Sequence, residues 1–213
     1  MLLRSIVIFF SFVLMGGAAH GGGTVLVWGD SLSAGYQLRI EQAWPSLMQT
    51  RLDDEGFPHR VVNASVSGET TSGGRTRLAA ALAEHQPELF ILGLGANDGL
   101  RGLQPGLMAE NLDAMIKAAR EAGARVLLVG MRMPPNYGPA FTRRFEEAFR
   151  ELAESNDVPL LPFLLEGFAD QPEMFLPDGI HPNADAQHII LDTVWQYVLP
   201  LLESPQAATA AVD

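Results

Sequence analysis

Three residues of this chain have the types and settings that nucleophilic acyl chemistry requires. Ser31 stands in Gly29-Asp30-Ser31-Leu32-Ser33, directly after a short apolar run. A serine hydroxyl is a weak nucleophile, and it needs a base within hydrogen-bond reach and a group that orients that base. Of the five histidines, His20 lies near the amino terminus and His188 inside the last helical stretch; His59 and His85 sit in polar stretches near proline and read as solvated. His181 stands in Pro177-Asp178-Gly179-Ile180-His181-Pro182. On a turn, a carboxylate three residues before a histidine can reach a ring nitrogen and fix the tautomer. The reaction also needs donors aimed at a developing oxyanion. Gly68, in Ser67-Gly68-Glu69, offers an unobstructed backbone N–H; Asn97, in Gly95-Ala96-Asn97-Asp98-Gly99, offers a side-chain amide. With the Ser31 N–H these make three donors. Each signal is weak by itself. Taken alone, Ser31 reads better as a helix N-cap, Gly68 and Asn97 as loop formers, and Asp178-Gly179 as a turn that precedes a histidine.

The elements that must position these groups are legible as alternating apolar runs and helical patterns. Residues 24–28, 61–62, 89–94, 126–130 and 158–161 read as strands without polar alternation. Such runs are buried on both faces. Between them, residues 43–54, 70–85, 105–122 and 140–154 read as helices, and residues 184–202 as a closing helix. Residues 95–102, 133–139 and 166–182 read as loops. Strand–helix alternation of this kind implies an α/β fold with a parallel five-stranded sheet and helices on both faces. In open parallel sheets, ligands bind outside the carboxyl ends of the strands. The segments after the first three strands, residues 29–31, 65–69 and 95–99, are those that carry Ser31, Gly68 and Asn97.

These pieces resemble, in order, the four blocks of the GDSL, or SGNH, hydrolases: Gly29-Asp30-Ser31-Leu32, the isolated Gly68, Gly95-x-Asn97-Asp98 and Asp178-x-x-His181. The longer strings GDSLSAGY (29–36), GETTSGG (68–74), ANDGLRG (96–102) and DGIHPNADAQ (178–187) look like the bacterial thioesterase I/lysophospholipase/arylesterase group within it. The resemblance spans nearly the whole chain after the amino-terminal segment. It implies a flavodoxin-like three-layer sandwich and a serine hydrolase with no metal and no cofactor. It further implies that Ser31 is the nucleophile, His181 the base then acid, and Asp178 the orienter. The oxyanion hole would be the Ser31 N–H, the Gly68 N–H and the Asn97 side chain. Asp30 and Asp98 are read as scaffolding of their turns. Ala96 stands where relatives often carry a second glycine.

Other chemistries fit less well. No serine has glycine at both −2 and +2, as a nucleophile elbow would. Asp98 occupies the third glycine position of a dinucleotide fingerprint that would begin at Gly93. Asp178 and His181 lack a third metal ligand nearby. The 213 residues are 47% hydrophobic and 18% charged, the composition of one globular domain. A formal charge of −11 disfavours nucleic acid and charge-driven docking on anionic lipid. No cysteine is present, which removes disulfides and thiolate chemistry.

Arg4, the apolar run Ile6 to Met15 and Gly17-Ala18-Ala19 form the three parts of a secretory signal peptide. The expected domain is therefore residues 20–203, in the periplasm or secreted, without stable membrane insertion and monomeric. Residues 204–213 read as a frayed tail. The expected partner is a small acyl ester or thioester. Leu100, Leu103, Met133, Tyr137 and Phe141 are candidate walls for its acyl chain, and a carbohydrate O-acetylesterase is the alternative within the family.

Overall fold

The computed structural model describes residues 22–203, so the expected signal segment and carboxyl-terminal tail lie outside the described residues. Five strands form one parallel sheet: β1 (Thr24–Gly29), β2 (Arg60–Asn63), β3 (Pro87–Gly93), β4 (Arg125–Val129) and β5 (Leu160–Leu161). Their spatial order is β2-β1-β3-β4-β5. The connections run outward in opposite directions from β1 and β3. A crevice therefore opens between the carboxyl ends of those two strands, and loops meet there.

The helices are α1 (Ser31–Ala34), α2 (Trp44–Asp54), α3 (Thr71–His85), α4 (Ala96–Leu100), α5 (Pro105–Glu121), α6 (Pro139–Asn156) and α7 (Ala186–Glu203). Alternation along each strand sends side chains to two cores. Val25, Val27, Leu89, Ile91, Leu127 and Val129 pack against α2 and α7. Leu26, Trp28, Phe90, Leu92, Val126 and Leu128 pack against α3, α5 and α6. Both faces of the sheet are thus covered, which is why its strands read as continuous apolar runs.

Three expectations are corrected. Residues 95–102 are not all loop: α4 forms there, capped by Gly95 at φ 119°. A Cβ on Gly95 would lie 2.9 Å from Met108 Sδ, so glycine is needed on both counts. The fifth strand is only two residues long, Leu160–Leu161 beside Leu128 and Val129, with the Pro159 carbonyl ahead of it accepting from Leu128 N–H (3.0 Å). His59 is not solvated: it is buried, with Nε2 3.4 Å from Glu88 Oε2.

Candidate active site

The site is assembled at the carboxyl end of the sheet. Gly29 ends β1 with its N–H donating to Ser65 Oγ (3.1 Å), and a Cβ there would lie 2.8 Å from Ser33 Oγ. That close approach lets the chain turn sharply into α1. The N-cap of α1 is Asp30, whose Oδ1 accepts from Leu32 N–H at 3.0 Å. Asp30 therefore takes the capping role, and the Ser31 hydroxyl is free for other work.

Ser31 Oγ lies 2.9 Å from His181 Nε2, and His181 Nδ1 lies 2.8 Å from Asp178 Oδ2. The other carboxylate oxygen of Asp178 accepts from the N–H groups of Ile180 (2.9 Å) and His181 (3.0 Å). Gly179, at φ 69°, turns the chain so that both amides face it. These backbone donors first, then the imidazole, hold the Asp178 carboxyl down at about 2. An ionised carboxylate only accepts, so Nδ1 must donate to it. Nε2 is then left as the acceptor for the serine proton. The loop is pinned from behind by Leu176 N–H donating to the His181 carbonyl (2.8 Å) and by a bridge between Phe175 and Pro182. The Tyr36 ring lies over His181, with centroids 4.3 Å apart.

Asn97 lies in the first turn of α4, just beyond the carboxyl end of β3. Its Nδ2 donates to Asp30 Oδ2 at 3.2 Å, so one carboxylate joins the Ser31 turn to the Asn97 amide. Asp30 is almost wholly buried, and burial pushes its carboxyl up to about 6 against the donors that face it. Asp98 is buried too, and accepts from Thr71 N–H (2.9 Å) and Thr71 Oγ1 (2.6 Å). It ties α4 to the start of α3.

Gly68 sits at φ 78° on the turn after β2. Val66 N–H donates to Gly29 O (3.0 Å), which holds that turn beside Ser31. Two arginines fix it further. Arg101 Nη2 donates to the Gly68 carbonyl (3.0 Å); Arg77 donates to Glu69 (2.6 Å) and to the Ala64 carbonyl (2.8 Å) while its guanidinium lies 3.5 Å over the Trp28 ring. Sequence reasoning missed both. Arg101 adjoins the Asn97 block, but nothing in its spacing reports a bond to a carbonyl 33 positions away.

A cleft of about 540 Å³ opens from Ser31, Asn97 and His181. Its walls are mostly apolar, formed chiefly by Met131, Met133, Phe163, Leu165, Phe175 and Ile180. Of the candidate walls, Leu100 and Met133 line it; Leu103, Tyr137 and Phe141 do not. Tyr137 instead donates its hydroxyl to the Leu100 carbonyl at 2.9 Å and stacks on Phe141, behind the wall. Phe163 and Leu165 follow β5, on a stretch whose length hid their direction.

Residues 27–189 match the model of the GDSL-like Lipase/Acylhydrolase family. The chain belongs to that family. It is 48% identical over 179 residues to Esterase TesA of Pseudomonas aeruginosa, covering 84% of this chain and 89% of that protein. It is 41% identical over 194 residues to Thioesterase 1/protease 1/lysophospholipase L1 of Escherichia coli K12, covering 91% and 92%. The crystal structure of TesA is similar with a TM-score of 0.82 at 47% identity, covering 84% of this chain and 99% of that one. The five-stranded parallel sheet is thus the fold of an SGNH hydrolase of this family.

Proposed function

We propose that this ester-hydrolysing member of the GDSL family cleaves acyl esters and thioesters through an acyl-enzyme on Ser31. The observation that carries the reading is the unbroken run Ser31 Oγ, His181 Nε2, His181 Nδ1, Asp178 Oδ2, with steps of 2.9 and 2.8 Å. His181 takes the Ser31 proton as Oγ attacks the carbonyl carbon. The carbonyl oxygen becomes an oxyanion held by the N–H groups of Ser31 and Gly68 and by Asn97 Nδ2. Neither backbone N–H has a protein acceptor among the described residues. His181 then passes its proton to the leaving alkoxide or thiolate, and the C–O or C–S bond breaks. Water repeats the sequence: it loses a proton to His181, attacks the acyl carbon, and frees the carboxylic acid as Ser31 regains its proton. Asp178 stays ionised and stabilises the imidazolium.

The apolar cleft favours an acyl chain of several carbons over a bare acetyl group. That supports an arylesterase, thioesterase or lysophospholipase type of substrate rather than a carbohydrate O-acetyl group. The relatives named for esterase and thioesterase activity support the same breadth. Among the described residues no helix is long and apolar enough to cross a membrane. The amino-terminal pattern supports export, with the mature chain beginning at or near His20; intact mass of exported protein tests the cut. The mechanism is tested by Ser31→Ala, His181→Ala and the double variant on a soluble ester. Each single change should cost nearly as much as both, roughly 10⁴- to 10⁶-fold in kcat. Additive losses would reject a shared nucleophile–base unit.

A further inference from the structure

Large apolar side chains are exposed at seven places among the described residues, and all seven are at one end of the sheet. Tyr36 and Ile40 follow β1, Val66 follows β2, and Ile180 lies on the loop after β5. Leu100, Leu103 and Leu107 follow β3, the last in the first turn of α5. The four connections at the opposite end carry none. Exposed apolar residues scattered singly need no explanation, but a group on one rim does. Ile40 is 83% exposed and Leu107 56%, and neither lines the cleft.

The charges on the segments after β1, β2 and β3 are arranged to match. The chain carries a net −11. Yet residues 30–43, 64–71 and 95–107 hold only four carboxylates, and none is exposed and unpaired. Asp30 and Asp98 are buried; Glu41 pairs with Arg39 at 3.2 Å and Glu69 with Arg77 at 2.6 Å. Arg101 stands exposed on these segments. The loop that carries Ile180 differs: Asp178 is held by His181, but Asp170, Glu173 and Asp185 are exposed there. At the other end, Asp53, Asp54 and Glu55 are all exposed on one turn. Leu100 and Ile180 belong both to the rim and to the cleft, so an acyl chain can pass from one to the other without crossing a polar surface.

We propose that this rim docks on the surface of a zwitterionic phospholipid bilayer, from which the enzyme draws single-chain acyl esters; the second clause rests on the function proposed above. Apolar insertion by residues 30–43, 64–71 and 95–107, where no carboxylate is exposed and unpaired, suits a surface of zero net charge, whereas the chain as a whole is repelled by an anionic one. The test is sedimentation of the purified enzyme with phosphatidylcholine vesicles, using wild type and the Ile40→Ser/Leu107→Ser double variant. Wild type should sediment with the vesicles, and added salt should not release it. The double variant should bind at least ~tenfold more weakly. Its turnover of a short ester in solution should stay within about twofold of wild type, while turnover of a long-chain ester carried in the vesicles falls about as much as binding. Wild type remaining in the supernatant would overturn the proposal. So would an equal loss on both substrates, or light scattering that shows a dimer through this rim. If wild type fails to hydrolyse even the soluble ester, the proposed function falls, but vesicle binding still decides the docking surface.

Discussion

The two ends of this sheet are built from similar residues and treated oppositely. At the amino end, charged groups pair with one another, although buried His59 Nδ1 has no partner among the described residues. Glu88 pairs with Arg125, and buried His59 Nε2 lies 3.4 Å from the same carboxylate. At the carboxyl end, polar groups are aligned but left open. Ser31, His181 and Asp178 are linked in sequence, Asn97 is steered by a buried carboxylate, and the Ser31 and Gly68 N–H groups have no protein acceptor among the described residues. Unpaired donors are a liability in a fold and an asset at a site where charge develops. The contrast separates residues held for stability from residues held for chemistry, and it can be broken or sharpened by substitution.

The largest of these effects is expected at Asn97. Asn97→Ala removes one preorganised donor and leaves the nucleophile and base intact. It should lower kcat by about a hundred- to a thousandfold with little change in KM. A loss confined to KM would mean that Asn97 binds the ground state instead.

Asp30→Asn tests whether Asn97 must be steered. The new amide can accept from only one of the two donors that Asp30 now holds, Leu32 N–H and Asn97 Nδ2, and opposes the other with its own NH2, so kcat should fall by roughly ten- to a hundredfold, less than for losing Asn97 itself. The pH dependence gives a second readout. Because the folded-state value is raised to about 6 from 3.8, the folded protein takes up a proton between those values, and stability declines as pH rises through that window. In Asp30→Asn that decline should disappear from the Tm-against-pH curve. A curve like that of wild type would show that Asp30 does not titrate there.

The cleft wall gives a smaller effect. Leu165 lines the cleft and Leu103 does not. Leu165→Asn keeps the branched shape but makes it polar, and should lower kcat/KM for octanoyl relative to acetyl esters by roughly tenfold or more. Leu103→Ser should leave that ratio within about twofold. Equal effects would place the acyl chain elsewhere.

On activity the smallest effect is expected at the amino end. Glu88→Gln weakens the pairing with Arg125 and His59, and should lower Tm by roughly 4–10 °C. Turnover per folded molecule should not change. A tenfold loss of kcat would erase the distinction between the two ends.

The sequence is unequally informative about these regions, for physical reasons. Alternating apolar runs expose the parallel sheet, because both faces are buried and no polar alternation interrupts them. Ser31 is legible because it stands in a short turn-forming block at the end of β1, and Asp178 and His181 because they share a proline-flanked turn block. The helix α4 was hidden by glycine: Gly95 and Gly99 read as loop, yet Gly95 caps the helix and a Cβ on Gly99 would lie 2.4 Å from Met133 Sδ. His59 was misread because its neighbours are polar, although Glu88, 29 positions away, covers it. Leu103 was misplaced because a loop after a strand says which end of the sheet it occupies, not which way its side chains turn. The ties from Arg77 and Arg101 to the Gly68 turn span too many residues for spacing to reveal.

The central claim is that one serine forms the covalent intermediate. Labelling with a fluorophosphonate followed by peptide mass mapping tests it most directly. The account predicts one adduct, on the peptide that contains Ser31, formed more slowly in Asn97→Ala and absent in Ser31→Ala. An adduct on Ser65, Ser67 or Ser72, or labelling that persists in Ser31→Ala, would contradict it.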